Sequence, residues 1–235
     1  MESKNYLVTG ASRGIGYDTG IALAASAHHR IFVLSRNEER LQYLAEMAGE
    51  LYGHRNIELM AADLASIDTG EIARWIGPSK QLAGVINNAG LLINKPFLEL
   101  SEEDWQLSFQ LNFFAVVRLL KSLHPMLNRG SHILNIGSMG GYQGSSKFPG
   151  LGAYSASKAA LSNLTEYLAE EWKEEGIISN CLALGAVQTD MLETAFPGFQ
   201  APVSSKQMGE MVAWFVQNGQ QFFNGKVLPV SVSTP

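Results

Sequence analysis

Short runs of β-branched, aliphatic and aromatic residues recur along the chain, and between them apolar residues return at every third or fourth position. The runs cover residues 6–8, 31–34, 57–60, 84–86, 133–136, 177–184 and 227–232. Each is short and continuous enough for a strand that is buried on both faces. In the intervening segments, Leu41, Leu44, Ala45, Ala48 and Leu51 share one side of a helix. Leu107, Leu111, Phe114, Val117, Leu120 and Leu123 do the same for a helix expected over 102–127. Strand and helix signals alternate to the end, and no Pro/Ser-rich linker interrupts them. The pattern predicts a single-domain, Rossmann-type, doubly wound α/β fold over 1–235: a parallel sheet of about seven strands with helices on both faces.

The first strand-to-helix turn carries the first chemical signal. Leu7-Val8 runs into Thr9-Gly10-Ala11-Ser12-Arg13-Gly14-Ile15-Gly16, and a helical stretch begins at Tyr17. Glycines at 10, 14 and 16 let the chain turn tightly and let a pyrophosphate approach the backbone. The helix start behind them offers N–H groups and the positive end of a dipole. A glycine triplet alone means little. Set between a first strand and a helix, with a second strand following, it is a dinucleotide fingerprint. The second strand ends Leu34-Ser35-Arg36, where an NAD-binding loop usually carries an acid for the ribose 2′-hydroxyl. Arg36 can fork onto a 2′-phosphate, and Arg13 can add a second charge. Together they predict NADP(H) rather than NAD(H).

Composition narrows the possibilities. Apolar residues make up 46% and charged residues 17%, which supports a packed core and excludes a disordered chain. A net charge of −5 without an extended basic run gives no reason to expect nucleic acid or a membrane surface as partner. The lone Cys181 cannot form an intrachain disulfide and reads as a small core residue. Histidines 28, 29, 54, 124 and 132 lack metal-ligand spacing, so no metal is expected. Nine residues precede the first glycine, too few for a signal peptide, and no apolar run reaches a membrane span. A cytoplasmic protein is expected. Asn163-Leu164-Thr165 fits a glycosylation pattern but falls in a predicted helix and is discounted.

Three motifs then fall in one order. The Thr9–Gly16 loop fits TGxxxGxG, Asn87-Asn88-Ala89-Gly90 after the fourth strand fits NNAG, and Tyr154-Ser155-Ala156-Ser157-Lys158 fits YxxxK. Over essentially its whole length the chain resembles the classical short-chain dehydrogenase/reductase family, and most nearly its 3-oxoacyl-acyl-carrier-protein reductases and related NADP-dependent carbonyl reductases. Tyr154 and Lys158, four apart on a helix, share one face. A neighbouring ammonium favours the phenolate and draws the tyrosine toward the range of acid–base catalysis. The resemblance implies that Tyr154 moves the proton and that Lys158 also holds the nicotinamide ribose. It implies that Ser138 hydrogen-bonds the substrate oxygen and that Asn112 orders a relay water to the lysine. It places Asp63 and Leu64 at the adenine, Ser12, Ile15, Asn88, Ala89 and Gly90 along the cofactor, and Val187 and Thr189 at the carboxamide.

The chain departs from that pattern in places. Ser138 and Tyr154 are sixteen residues apart, more than the family's usual spacing, across a Gly/Ser-rich loop at 139–153. Leu184-Gly185 stands where the family has Pro-Gly, the substrate segment at 190–205 is short, and the family's Gly-Gly near the end is absent. Leu92, Tyr142, Phe148, Met191, Leu192, Phe196 and Phe199 are expected to line an apolar pocket, suited to a 3-oxoacyl or other apolar ketone. A sugar or polyol dehydrogenase, and a nucleotide-sensing regulator without turnover, are the competing readings. Apolar surface on the helices carrying Asn112 and Tyr154 predicts a homodimer or homotetramer.

Overall fold

Alternation within each strand decides which layer a side chain enters. In β1 (Lys4–Thr9), Tyr6 and Val8 join one core and Leu7 the other. In β2 (His29–Ser35), Ile31 and Val33 face away from Phe32 and Leu34 in the same manner. A strand that is apolar on both faces needs helices above and below it. The computed structural model of the protein, which describes residues 3–232, has this arrangement.

The remaining sheet strands are β3 (Ile57–Ala61), β4 (Leu82–Asn87), β5 (His132–Ser138) and β6 (Ile178–Leu184). The two-residue strands β7 (Val187–Gln188) and β8 (Val203–Ser204) pair separately, and β9 (Lys226–Val230) completes the main sheet. All seven main strands run parallel, in the order β3-β2-β1-β4-β5-β6-β9. The order reverses direction between β1 and β4, which opens a crevice at their carboxyl ends. Helices α1 (Gly14–Ala24), α2 (Glu38–Tyr52) and α8 (Ser205–Asn218) cover one face. Helices α3 (Thr69–Ile76), α5 (Ala115–Leu123) and α6 (Gly152–Glu171) cover the other, with α4 (Glu102–Phe109) leading into α5. The short α7 (Asp190–Ala195) borders the crevice.

Helix starts separate structure from site. Side chains cap α2 (Asn37), α3 (Asp68), α4 (Ser101), α7 (Thr189) and α8 (Ser204), each satisfying a backbone N–H. Helices α1 and α6 begin without a side-chain cap, and both open on the crevice.

The helix expected over 102–127 is not continuous. A π-turn, Gln110–Phe114, separates α4 from α5, and a tight turn follows at His124–Met126. The inserted residue rotates all that follows. The buried face of α5 is Ala115, Val116, Leu119, Leu120 and Leu123, whereas Leu107 and Phe114 are 46% and 49% exposed. Leu51 likewise leaves the buried stripe of α2, which is Leu41, Leu44 and Ala48. Cys181 is fully buried in β6, and burial pushes its thiol up to about 11. Thr165 of the discounted glycosylation pattern is buried inside α6 and bonds Asn135. Among the described residues no helix is long and apolar enough to cross a membrane, and no group of His, Cys, Asp and Glu could hold a metal.

Candidate active site

Thr9, the last residue of β1, organises the point where the sheet order reverses. Its hydroxyl donates to Ile86 O at 3.3 Å and accepts from Asn88 N and Ala89 N at 3.1 Å each. The Asn88 amide returns the contact, donating to Thr9 O at 3.0 Å and Gly10 O at 3.1 Å. The Asn87–Gly90 segment is thereby stapled to the glycine loop. Gly10 and Gly14 adopt left-handed φ of 69° and 57°. At Gly16 a Cβ would lie 2.5 Å from Gly10 O and closer still to Asn88 Nδ2, so only glycine lets α1 start this near the loop.

The crevice holds about 510 Å3. Of the residues singled out in the sequence, Gly10, Ser12, Arg13, Gly14, Ile15, Arg36, Asp63, Leu64, Asn88, Ala89, Gly90, Ser138, Tyr154, Lys158, Val187 and Thr189 all line it. Gly16 and Asn112 stand behind the wall and act through packing and hydrogen bonds. Tyr142, expected in the substrate pocket, is outside the lining. Its carbonyl instead accepts from Lys147 Nζ and Ser145 Oγ in the 139–153 loop.

The floor differs from expectation in one respect. Lys158 Nζ donates to Ile136 O at 2.7 Å and lies 5.9 Å from the centre of the Tyr154 ring. The ammonium shares a face with the phenol as helix spacing predicts, but its hydrogen bond goes to the Ile136 carbonyl. Burial raises Tyr154 above the ordinary tyrosine range, and a hydrogen bond with the Ser138 hydroxyl opposes that rise. Burial lowers Lys158 to about 8, with the nearby Cys181 thiol raising it slightly against that trend. Asn112 is fully buried and bound on three sides. Its Oδ1 accepts from Leu91 N at 2.8 Å, and its Nδ2 donates to Leu91 O and Ser157 Oγ at 2.9 Å each. That side chain locks the loop after β4 to the turn of α6 next to Lys158.

At the other end of the crevice the arginines divide. Among the described residues Arg36 has no acidic partner. Arg13 pairs with Asp190 at 3.3 Å, and Arg40 reaches the same carboxylate oxygen at 3.7 Å. Sequence reasoning missed Arg40, which lies one turn into α2 and beyond the fingerprint. It also missed Asn94, whose Nδ2 donates to Ala195 O at 2.7 Å across the mouth.

Comparison with known proteins gives a consistent result. The family model described as short chain dehydrogenase matches residues 4–198. A nodulation protein G of Rhizobium sp. is 30% identical, over 98% of this chain and 96% of its own. A 3-oxoacyl-acyl-carrier-protein reductase of Chlamydia trachomatis is 26% identical over 98% of this chain and 96% of its own. A crystal structure of a putative short chain dehydrogenase from Escherichia coli CFT073, complexed with NADPH, superposes with a TM-score of 0.86 at 28% identity, covering 97% of both chains.

Proposed function

The chain belongs to the short chain dehydrogenase family, and from that premise we propose that it is an NADP(H)-dependent oxidoreductase acting on an apolar ketone or its secondary alcohol. The observation that carries this reading is one crevice with two contrasting ends. One end has the Tyr154–Ser138 hydroxyl pair on its floor, and the other has an uncapped helix start beside Arg36.

The residues fit the cofactor. The start of α1 lacks both a side-chain cap and an acid in its first turn, so its N–H groups suit a pyrophosphate. Arg36, without an acidic partner among the described residues, suits a 2′-phosphate. Thr189 and Val187 border the nicotinamide end, and Asp63 and Leu64 the adenine end. Bound NADPH supplies the hydride.

The protein's own groups handle the oxygen and the proton. A carbonyl oxygen entering between Ser138 and Tyr154 accepts from both hydroxyls. As charge develops on that oxygen, Tyr154 donates its proton. Burial moves the phenol further from ionisation, favouring the protonated form required of an acid in reduction. Lys158 spends one N–H on Ile136 O and has two left for the ribose and for the phenolate that forms. The side chain of Asn112, expected to hold a relay water, is committed to Leu91 and Ser157, so we assign it the positioning of α6.

The substrate end is walled by Leu92, Phe148, Met191, Leu192, Phe196 and Phe199. Such walls favour a 3-oxoacyl chain or an aromatic ketone over a sugar, whose hydroxyls would lose water without gaining partners. Exposed Leu107, Phe114 and Tyr167 support a homodimer or homotetramer, while Leu161 and Leu168 of α6 pack into the chain's own core. The test is loss of NADPH absorbance with a panel of apolar ketones, 3-oxoacyl thioesters and ketoses. Turnover confined to the first two classes is expected. Tight NADPH binding without turnover of any of them would overturn the proposal in favour of a nucleotide sensor.

A further inference from the structure

Helix α7 opens on a carboxylate placed among arginines. Asp190 lines the crevice, and its Oδ2 lies 3.3 Å from Arg13 Nη1 and 3.7 Å from Arg40 Nη1. The three residues come from three elements: the glycine loop, the first turn of α2 and the start of α7. Arg36 lines the same end of the crevice. Two guanidinium charges thus share one carboxylate, and Arg36 adds a third positive charge to the crevice lining, an excess that a second anion would complete. All three members of the Asp190 cluster are more than half exposed, so each pair is individually weak and easily exchanged. Asp190 is the first residue of α7, so its pairing with the two arginines ties the start of that helix to the glycine loop and to α2. The far end of α7 is tied separately, by Asn94 to Ala195 O.

We propose that Asp190 is a displaceable counter-ion for the cofactor's 2′-phosphate, and that Arg40 is a third arginine serving that phosphate. The inference rests on the NADP(H) reading above. The arriving phosphate takes Arg13 and Arg40 from Asp190 and frees the cofactor-side end of α7, which walls the substrate pocket. On release of the cofactor, Asp190 competes for the same arginines and speeds departure. A cofactor without the 2′-phosphate leaves the cluster closed. Cofactor exchange and lid position are thereby coupled through one carboxylate.

The experiment measures dissociation constants of NADPH and NADH by nicotinamide fluorescence on the full-length protein, at low and high salt. Asp190→Asn, which keeps the shape and removes the charge, should tighten NADPH by about three- to tenfold at low salt. It should leave NADH unchanged, and the gain should shrink at high salt. Arg40→Gln should weaken NADPH severalfold and spare NADH. Hydrogen exchange over 189–196 should rise with NADPH but not with NADH in the wild type. Unchanged or weaker NADPH binding by Asp190→Asn, or equal tightening of both cofactors, would overturn the counter-ion role. An Arg40→Gln variant that binds NADPH as the wild type does would overturn the role of Arg40. A wild type that binds both cofactors equally would mean that the NADP(H) reading has failed. A wild type that prefers NADPH, with no gain in Asp190→Asn, would mean that the counter-ion alone has failed.

Discussion

Two polar clusters lie at opposite ends of β5, one buried in the fold and one lining the crevice. At the amino end, His132 is fully buried between β6 and α8. Its Nδ1 bonds Val216 O at 3.1 Å, and a carbonyl can only accept, so that nitrogen carries the proton. Its Nε2 then accepts from Asn180 Nδ2 at 3.0 Å. Asn180 cannot turn over, because Nδ2 also donates to Phe223 O and Oδ1 accepts from Lys226 N. At the carboxyl end, the Ser138 and Tyr154 side chains are neighbours and line a crevice of about 510 Å3. Burial lowers His132 to about 4 and Lys158 to about 8, and it raises Tyr154. A displaced ionisation therefore does not by itself mark a site. The amino-end cluster spends its hydrogen bonds inside the fold, whereas the carboxyl-end hydroxyls can turn toward a ligand.

The largest expected effect tests that division directly. Tyr154→Phe keeps the ring and its packing and removes only the hydroxyl beside Ser138. Turnover should fall by about 10²–10⁴-fold, while NADPH affinity and the unfolding midpoint stay where they were. Lys158→Met should damage turnover and cofactor affinity together, and Ser138→Ala turnover alone. Steady-state kinetics beside thermal unfolding separates the cases. If Tyr154→Phe lost stability and kept its turnover, the carboxyl-end cluster would be structural in the same sense as that of His132.

His132 should show the reverse, an effect on stability with none on chemistry. Its folded value is lowered to about 4, while an unfolded histidine takes its proton near 6.5. As pH falls through 6.5 the unfolded chain binds the proton first, so the folded state loses stability down to about pH 4. The loss is on the order of 3 kcal/mol. Protonated, Nε2 would point a donor at the Asn180 amide, which has no acceptor to offer in return. Urea unfolding of wild type and His132→Gln between pH 7 and 4.5 should show the gap between them narrowing as pH falls. A gap independent of pH would show that His132 is not held neutral.

The contrast also explains what the sequence could reveal. The glycine loop, the Asn87–Gly90 turn and the Tyr154–Lys158 pair are local patterns, so their spacing carries their geometry. Strand runs announce themselves because a parallel strand is apolar on both faces. The π-turn does not, and the side-chain bonds of Asn112 within it go to Leu91 and Ser157, 21 and 45 residues away. The preference of Lys158 Nζ for Ile136 O is equally hidden, because helix spacing shows which residues share a face and not which of two acceptors lies nearer. Asp190 reads as one acid in a short loop until the fold brings it to Arg13 and Arg40.

The smallest effect belongs to the crevice's mouth, where a single exposed contact does what several buried ones do at the floor. Asn94 Nδ2 donates to Ala195 O at 2.7 Å, and the next residue, Lys95, donates its N–H to Gly150 O at 3.0 Å. Together these join the loop after β4 to α7 and to the long 139–153 loop. Asn94→Ala removes one neutral hydrogen bond worth about 0.5–1.5 kcal/mol, and water can replace both partners in the unclasped state. The unfolding midpoint should therefore not move, and neither should NADPH affinity, because the glycine loop is untouched. If the substrate binds under α7 as proposed, the loss should show as a roughly two- to tenfold rise in KM. Asn94→Asp, which cannot donate to a carbonyl, should behave as the alanine variant does. A stability loss on the scale expected for His132 would make the mouth part of the core. An unchanged KM in both variants would mean that α7 keeps its place without Asn94.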